Sequence, residues 1–251
     1  MTGILTAVLV LSLLGAAFGL LLIGAGKIFE MPSNPIRDQV RSALPGANCG
    51  GCGYAGCDAL ADAIAAGKAP VSTCPVGGVA VAAQIAQIMG VDVAPQQQRM
   101  VATVVCQGSL DRCKTKFTYH GIQDCRAAAL VNDGNRACKY ACLGLGTCVR
   151  TCQFDAIHID PHTGIAKVNP DRCQSCGACV KACPKQVLSL QPETLPVRLL
   201  CRAAEEGFLV SDNCKIGCVG CELCKAACKF GAVTIVNHLP VIDREKCTGC
   251  M

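Results

Sequence analysis

Cysteine carries the chemistry of this sequence. There are 23 in 251 residues, a density that belongs either to a disulfide scaffold or to a chain built round metals. Disulfide scaffolds are short secreted domains, whereas this chain is long and many of its cysteines fall in runs separated by two or three residues. Aromatic residues are scarce, with no Trp, three Tyr and six Phe, so inorganic centres are expected to stand in for an aromatic core. The segment PGANCGGCGYAGC, with a later TCP, brings Cys49, Cys52, Cys57 and Cys74 into one compact stretch. Its Gly50, Gly51, Gly53 and Gly56 let the backbone curl and point N–H groups at sulfur. Zinc also takes four thiolates, but its sites come as two C-x₂₋₄-C pairs, so C-x2-C-x4-C with one distant partner favours iron and sulfide.

The run Cys173-x2-Cys176-x2-Cys179-x3-Cys183-Pro184 is more specific. It has the bacterial two-cluster ferredoxin spacing, in which three close cysteines hold one [4Fe-4S] cluster and the fourth reaches across to its neighbour. A looser version precedes it, Cys138-x3-Cys142-x5-Cys148-x3-Cys152, with Gln153 where Pro usually follows. Crossed pairing then predicts one set of Cys138, Cys142, Cys148 and Cys183, and another of Cys152, Cys173, Cys176 and Cys179. The phrase repeats downstream at constant offset: Cys214, Cys218, Cys224 and Cys228 fall under Cys138, Cys142, Cys148 and Cys152, and Cys247 and Cys250 under Cys173 and Cys176. Cys221 is extra. A fourth set of Cys214, Cys218, Cys221 and Cys224 follows, and because the repeat stops inside its motif the natural chain is expected to continue. Cys106, Cys113 and Cys125 stand far apart with no visible fourth ligand, and read as buried thiols behaving as small hydrophobes.

The elements that must position these thiols follow from the apolar pattern. Residues 1–29 carry no charge before Lys27, and a helix of that length crosses a hydrocarbon layer of about 30 Å. Lys27, Arg37, Arg41 and Lys68 all follow it, which places the rest of the chain in the cytoplasm, where thiols stay reduced. Residues 30–94 form a small helical four-Cys domain: an amphipathic helix opening at Pro35, the stretch DALADAIAAG closed by Gly67, and an apolar helix over 79–90. A basic connecting region, 95–137, opens with the linker PQQQ. The first ferredoxin-like domain, 138–195, has strands at AIHI and VLSL after its two halves, and a second, truncated unit fills 196–251. The fold class is therefore α+β. The net charge of +5 is concentrated in residues 99–150, where Arg99, Arg112, Lys114, Lys116, Arg126, Arg136, Lys139 and Arg150 outnumber three acids; the stretch reads equally as a solvated surface, as attraction to anionic lipid or as a dock for an acidic partner.

The four histidines, His120, His158, His162 and His238, are scattered, and no dinucleotide fingerprint or P-loop occurs. No catalytic residues are expected. Two other classes share the cysteine density. A membrane-tethered redox sensor would need an output domain, and a zinc-stabilised scaffold would be colourless.

Taken in order, one membrane helix, LPGANCGGCGYAGC with a later CP, CLGLGTC and a ferredoxin run resemble the B subunit of the Rnf complexes, in the long form with extra C-terminal ferredoxin units. Those complexes are membrane-bound, ion-translocating ferredoxin:NAD oxidoreductases. The resemblance implies an iron–sulfur subunit in the cell inner membrane, carrying at least three [4Fe-4S] clusters. It would take electrons from soluble reduced ferredoxin and relay them to a flavin- and NAD-binding subunit and membrane-embedded subunits, while Na⁺ or H⁺ is moved. Nucleic acid has no part in it.

Overall fold

The computed structural model describes residues 2–28, 34–92 and 98–250. Its first element is α1 (Thr2–Ile28), 27 residues or about 40 Å long at about 1.5 Å per residue. Leu11, Leu20 and Leu22 are exposed on it, so the apolar surface is not covered by the rest of the chain. Two of its hydroxyls are answered inside the helix: Ser12 Oγ donates to Val8 O at 2.7 Å and Thr6 Oγ1 to Gly3 O at 3.0 Å. By length and composition, Val8–Ala25 can cross a membrane.

Three helices follow. α2 (Pro35–Ala43) starts where expected because Pro35 needs no N–H partner and the Asn34 side chain accepts from Ile36 N and Arg37 N. α3 (Cys57–Ala65) stops just before Gly67, whose φ of +68° a side chain would resist. α4 (Gly78–Met89) ends at Gly90 in the left-handed region. Val40, Leu44, Leu60, Ile64 and Ile85 close the core between them. Arg37 and Arg41, two of the charges counted for orientation, reach across to Asp58 and Asp62 at 2.9 to 3.2 Å and tie α2 to α3. The expected PQQQ linker lies almost wholly outside the described residues.

The first thiol-rich unit runs from β1 (Met100–Val104) through α5 (Cys125–Leu130), α6 (Thr147–Thr151), β2 (Ile157–Ile159), β3 (Ala166–Val168) and α7 (Ala178–Ala182) to β4 (Leu188–Pro192). β2 and β3 form an antiparallel hairpin, and β1 pairs antiparallel with β4, Met100 opposite Pro192. The connecting region thus contributes a strand to this unit. Cys142, Cys148, Cys173 and Cys179 are buried among Val101, Ala102, Ala156, Ile157, Val187 and Leu188, so thiols occupy the centre of the core.

The second unit comprises α8 (Gly207–Asn213), α9 (Leu223–Ala227), β5 (Val233–Val236) and β6 (Leu239–Ile242). Its hairpin turns through Asn237 and His238, both at positive φ, the backbone that a two-residue hairpin turn requires.

Candidate metal centres

The four-Cys loop is curled by Asn48, whose Oδ1 accepts from Cys57 N at 2.8 Å and fixes the start of α3. Gly50 and Gly53 take φ of +66° and +90° within it. Cys74 lies within electrostatic reach of Cys52 and Cys57; its Sγ accepts from Gly77 N at 3.4 Å, and burial pushes its thiol above the usual value. The loop is pressed against the first unit. A Cβ on Gly51 would lie 2.6 Å from Cys176 O, and burial, with Cys49 among the neighbouring thiols, pushes the Cys176 thiol up.

Cys152, Cys173, Cys176 and Cys179, one of the sets expected from spacing, line a single small cavity with Ala102, Phe154 and Ile157. Each half of the motif bends through a left-handed residue two before its third cysteine, Gly146 or Gly177, which opens α6 or α7. Backbone amides aim at the sulfurs: Ala156 N donates to Cys152 Sγ at 3.4 Å and Ala102 N to Cys173 Sγ at 3.5 Å. Burial, with three neighbouring thiols, pushes Cys179 up to about 12.

The companion cavity differs from the spacing expectation. It is lined by Cys142, Cys148 and Cys183, but its fourth cysteine is Cys125 in place of Cys138. Leu145 occupies the place of a middle cysteine, and Cys125 approaches from the head of α5. Asp124 caps that helix, accepting from Arg126 N at 2.7 Å. Thr147 Oγ1 accepts from Cys125 N at 2.7 Å and donates to Asp124 Oδ2 at 3.1 Å, and Arg150 donates to the same oxygen at 3.0 Å. This network pins Cys125 beside α6, where burial, with Cys142, Cys125 and Cys183 among the neighbouring thiols, pushes Cys148 up to about 12. Cys138 turns the other way, towards Cys106 and Cys113.

The second unit is more open. Cys221, Cys224 and Cys250 are exposed, while Cys218 and Cys247 are half-buried. Cys214, expected beside Cys218, Cys221 and Cys224, is buried instead against Cys113. Cys228 accepts from Ala232 N at 3.3 Å, and such amides hold its thiol below the usual value.

The thiol geometry fits a multi-iron group. Thiols on a single tetrahedral zinc, bonded at about 2.3 Å, must close to about 4 Å of one another. Among the described residues no three His, Cys, Asp or Glu side chains are arranged to hold a single metal ion. The thiols ring voids instead, with amides directed at sulfur, and no histidine lines these cavities.

The basic stretch is partly paired. Arg136 is buried, and Arg99, Lys114, Lys139 and Arg150 are paired with Glu193, Asp212, Glu205 and Asp124. The paired side chains stay about half exposed, from 46% at Arg99 to 62% at Lys114, so the stretch remains at the surface with part of its charge answered by acids from elsewhere.

Two family models match, one described as "Putative Fe-S cluster" over residues 44–76 and one as "4Fe-4S dicluster domain" over 136–187. With the exposed apolar helix and the thiol-lined cavities, they define a membrane-associated iron–sulfur protein. Over 247 residues the chain is 44% identical to the B subunit of the ion-translocating oxidoreductase complex of Methanosarcina acetivorans, covering 98% of this chain and 93% of that one. The B subunit of the Na(+)-translocating ferredoxin:NAD(+) oxidoreductase complex of Acetobacterium woodii is 44% identical over 100% of this chain and 74% of its own. The proton-translocating counterpart of Clostridium ljungdahlii is 40% identical over 100% and 88%. The chain belongs to the B-subunit family of the ion-translocating Rnf oxidoreductase complexes.

Proposed function

We propose that this chain is the iron–sulfur electron-transfer subunit of a membrane ferredoxin:NAD oxidoreductase, taking electrons from reduced ferredoxin and passing them to partner subunits that bind flavin and NAD or lie in the membrane. The contact of Gly51 with Cys176 carries the reading, because it brings the four-Cys loop against the adjacent thiol set with no side chain between them. The ligand sets are Cys49, Cys52, Cys57 and Cys74; Cys125, Cys142, Cys148 and Cys183; and Cys152, Cys173, Cys176 and Cys179. A bound [4Fe-4S] group supplies one-electron exchange at a potential set by charge, burial and hydrogen bonds to sulfur. Ala102, Ala156 and Gly77 supply such bonds, and Val101, Ile157, Val187 and Leu188 keep water away. α1 is the single membrane anchor, with everything after residue 30 on the cytoplasmic side. Cys218, Cys221, Cys224, Cys228, Cys247 and Cys250 serve the second unit.

Anaerobically purified protein should be coloured, carry iron and acid-labile sulfide in equal amounts, and be bleached by reduced ferredoxin. A colourless chain holding zinc would overturn the reading.

A further inference from the structure

A separate small cavity lies where the two units meet. Its wall includes Cys106, Cys113 and Cys138 from the first and Cys201 and Cys214 from the second. Cys113 and Cys214 face each other across an isolated antiparallel bridge, locked on either side by Lys114 N donating to Asn213 O at 3.0 Å and Lys215 N to Arg112 O at 2.9 Å. Both are buried, and Cys106 and Cys138 pack against them beside Ala141. A Cβ on Gly108 would meet Cys113 Cβ at 3.2 Å, Cys214 Sγ at 3.6 Å and Cys106 Sγ at 3.7 Å, so the glycine leaves room where the thiols converge. Cys106 Sγ also accepts an amide, from Cys142 N at 3.5 Å, as Cys152 and Cys173 do in their set.

Arg136 is an independent observation. It is 2% exposed, its Nη1 donates to Cys113 O at 3.2 Å, and its Nη2 has no hydrogen-bond partner. Among the described residues it makes no ion pair. An isolated buried guanidinium is costly, and an anion behind Cys113 would offset that cost. Four neutral thiols offer no charge, whereas four thiolates round an iron–sulfide core carry net negative charge. Small-hydrophobe behaviour accounts for one buried thiol at a time; it does not account for four from distant parts of the chain gathering together, with a buried guanidinium bonded to the backbone of one of them.

We propose that Cys106, Cys113, Cys138 and Cys214 hold a further [4Fe-4S] cluster shared between the two units. Cys201 lines the same cavity but lies outside the packed group of four, and is not a ligand. The proposal rests on the electron-transfer reading for its purpose, since a centre at this junction extends the row of clusters from one unit to the next.

The test is iron and sulfide counting with EPR of the reduced, anaerobically purified full chain, comparing Cys113→Ala, Cys214→Ala, Cys201→Ala and Cys173→Ala. Cys113→Ala and Cys214→Ala should each lose about four irons and the same single EPR signal, although they lie in different units; Cys201→Ala should lose none. Unchanged iron in either of the first two, while Cys173→Ala loses about four, would overturn this site and leave the electron-transfer reading standing. Loss of iron in Cys201→Ala would overturn the ligand set, and a wild-type chain without iron would overturn both proposals. If Cys113→Ala loses every signal by misfolding, Cys106→Ser decides: loss of the one signal with the others kept supports the site, and retention of all overturns it.

Discussion

In the first unit Cys142, Cys148 and Cys173 sit inside an apolar core, whereas at the matching places of the second Cys224 lies at the surface and Cys218 and Cys247 are half-buried. The local motif is nearly the same. In both, a left-handed residue opens the short helix carrying the third cysteine, Gly146 and Gly177 in one and Glu222 in the other, and an amide donates to the cysteine that ends it. What differs is the cover. The first unit has β1 laid along β4 and the α5 loop folded onto α6; among the described residues the second has only the β5–β6 hairpin. A cysteine run specifies a loop shape, and distant segments decide whether that loop is buried.

The largest effect should come from removing part of that cover. Cys125→Ala is expected to lose about four irons, and Cys125→Ala with Leu145→Cys to regain them, because the second change restores the regular spacing. Cys138→Ala should leave that cluster's EPR signal in place; its loss would return Cys138 to the set and erase the distinction between local motif and distant cover.

Gly51→Ala tests contact between domains. The added methyl would sit 2.6 Å from Cys176 O, and overpacking of this kind costs about 1 to 3 kcal/mol. Thermal unfolding should register it, and electron exchange between the two flanking thiol sets should slow.

Asp124→Ala should have a smaller effect, a fall of a few degrees in Tm with weaker retention of the Cys125 cluster. The Arg126 amide, with help from Arg150 and Thr147, holds this carboxyl below the usual range. Its contribution is therefore present above the unfolded value of about 4 and is lost as pH falls through the lower folded value. A melting profile in acid should show wild type and Asp124→Ala converging there.

Smallest of all is Lys114→Ala. Its ion pair with Asp212 is mostly exposed, 62% and 72% at the two side chains, so the change should cost no more than about 1 kcal/mol in a denaturant titration.

These outcomes bear on how far the sequence could be read. Pro35, Gly67, Gly90 and the alternation in AIHI mark their elements locally, and the structure has a helix or strand at each. The set of Cys152, Cys173, Cys176 and Cys179 was legible because three of its members are near neighbours. Cys125 was not, because its place depends on a hydrogen bond to Thr147, 22 residues away, and no spacing rule contains that bond. The clue was Leu145, a gap in the repeat that called for a thiol from elsewhere. The meeting of Cys138 and Cys214 beside Cys113 was not legible either, because the repeat places each relative to its motif but says nothing of which way its turn faces. Charge counting reads one stretch at a time: the +5 of residues 99–150 is partly answered by Asp212, Glu193 and Glu205, which lie outside it in the sequence.

The pairing of β1 with β4 also orders events during synthesis. Met100 leaves the ribosome long before Pro192, and until both are out the strand that covers Cys173 has nothing to lie against. Loop closure over that span is slow compared with forming α5 or α6, so the nascent chain passes through a stage in which most of its thiols are made and few are enclosed. That stage is when Cys173 and Cys179 are most open, before Val101, Ala102 and Leu188 pack over them, whereas Cys152, Cys176 and Cys183 stay partly exposed afterwards.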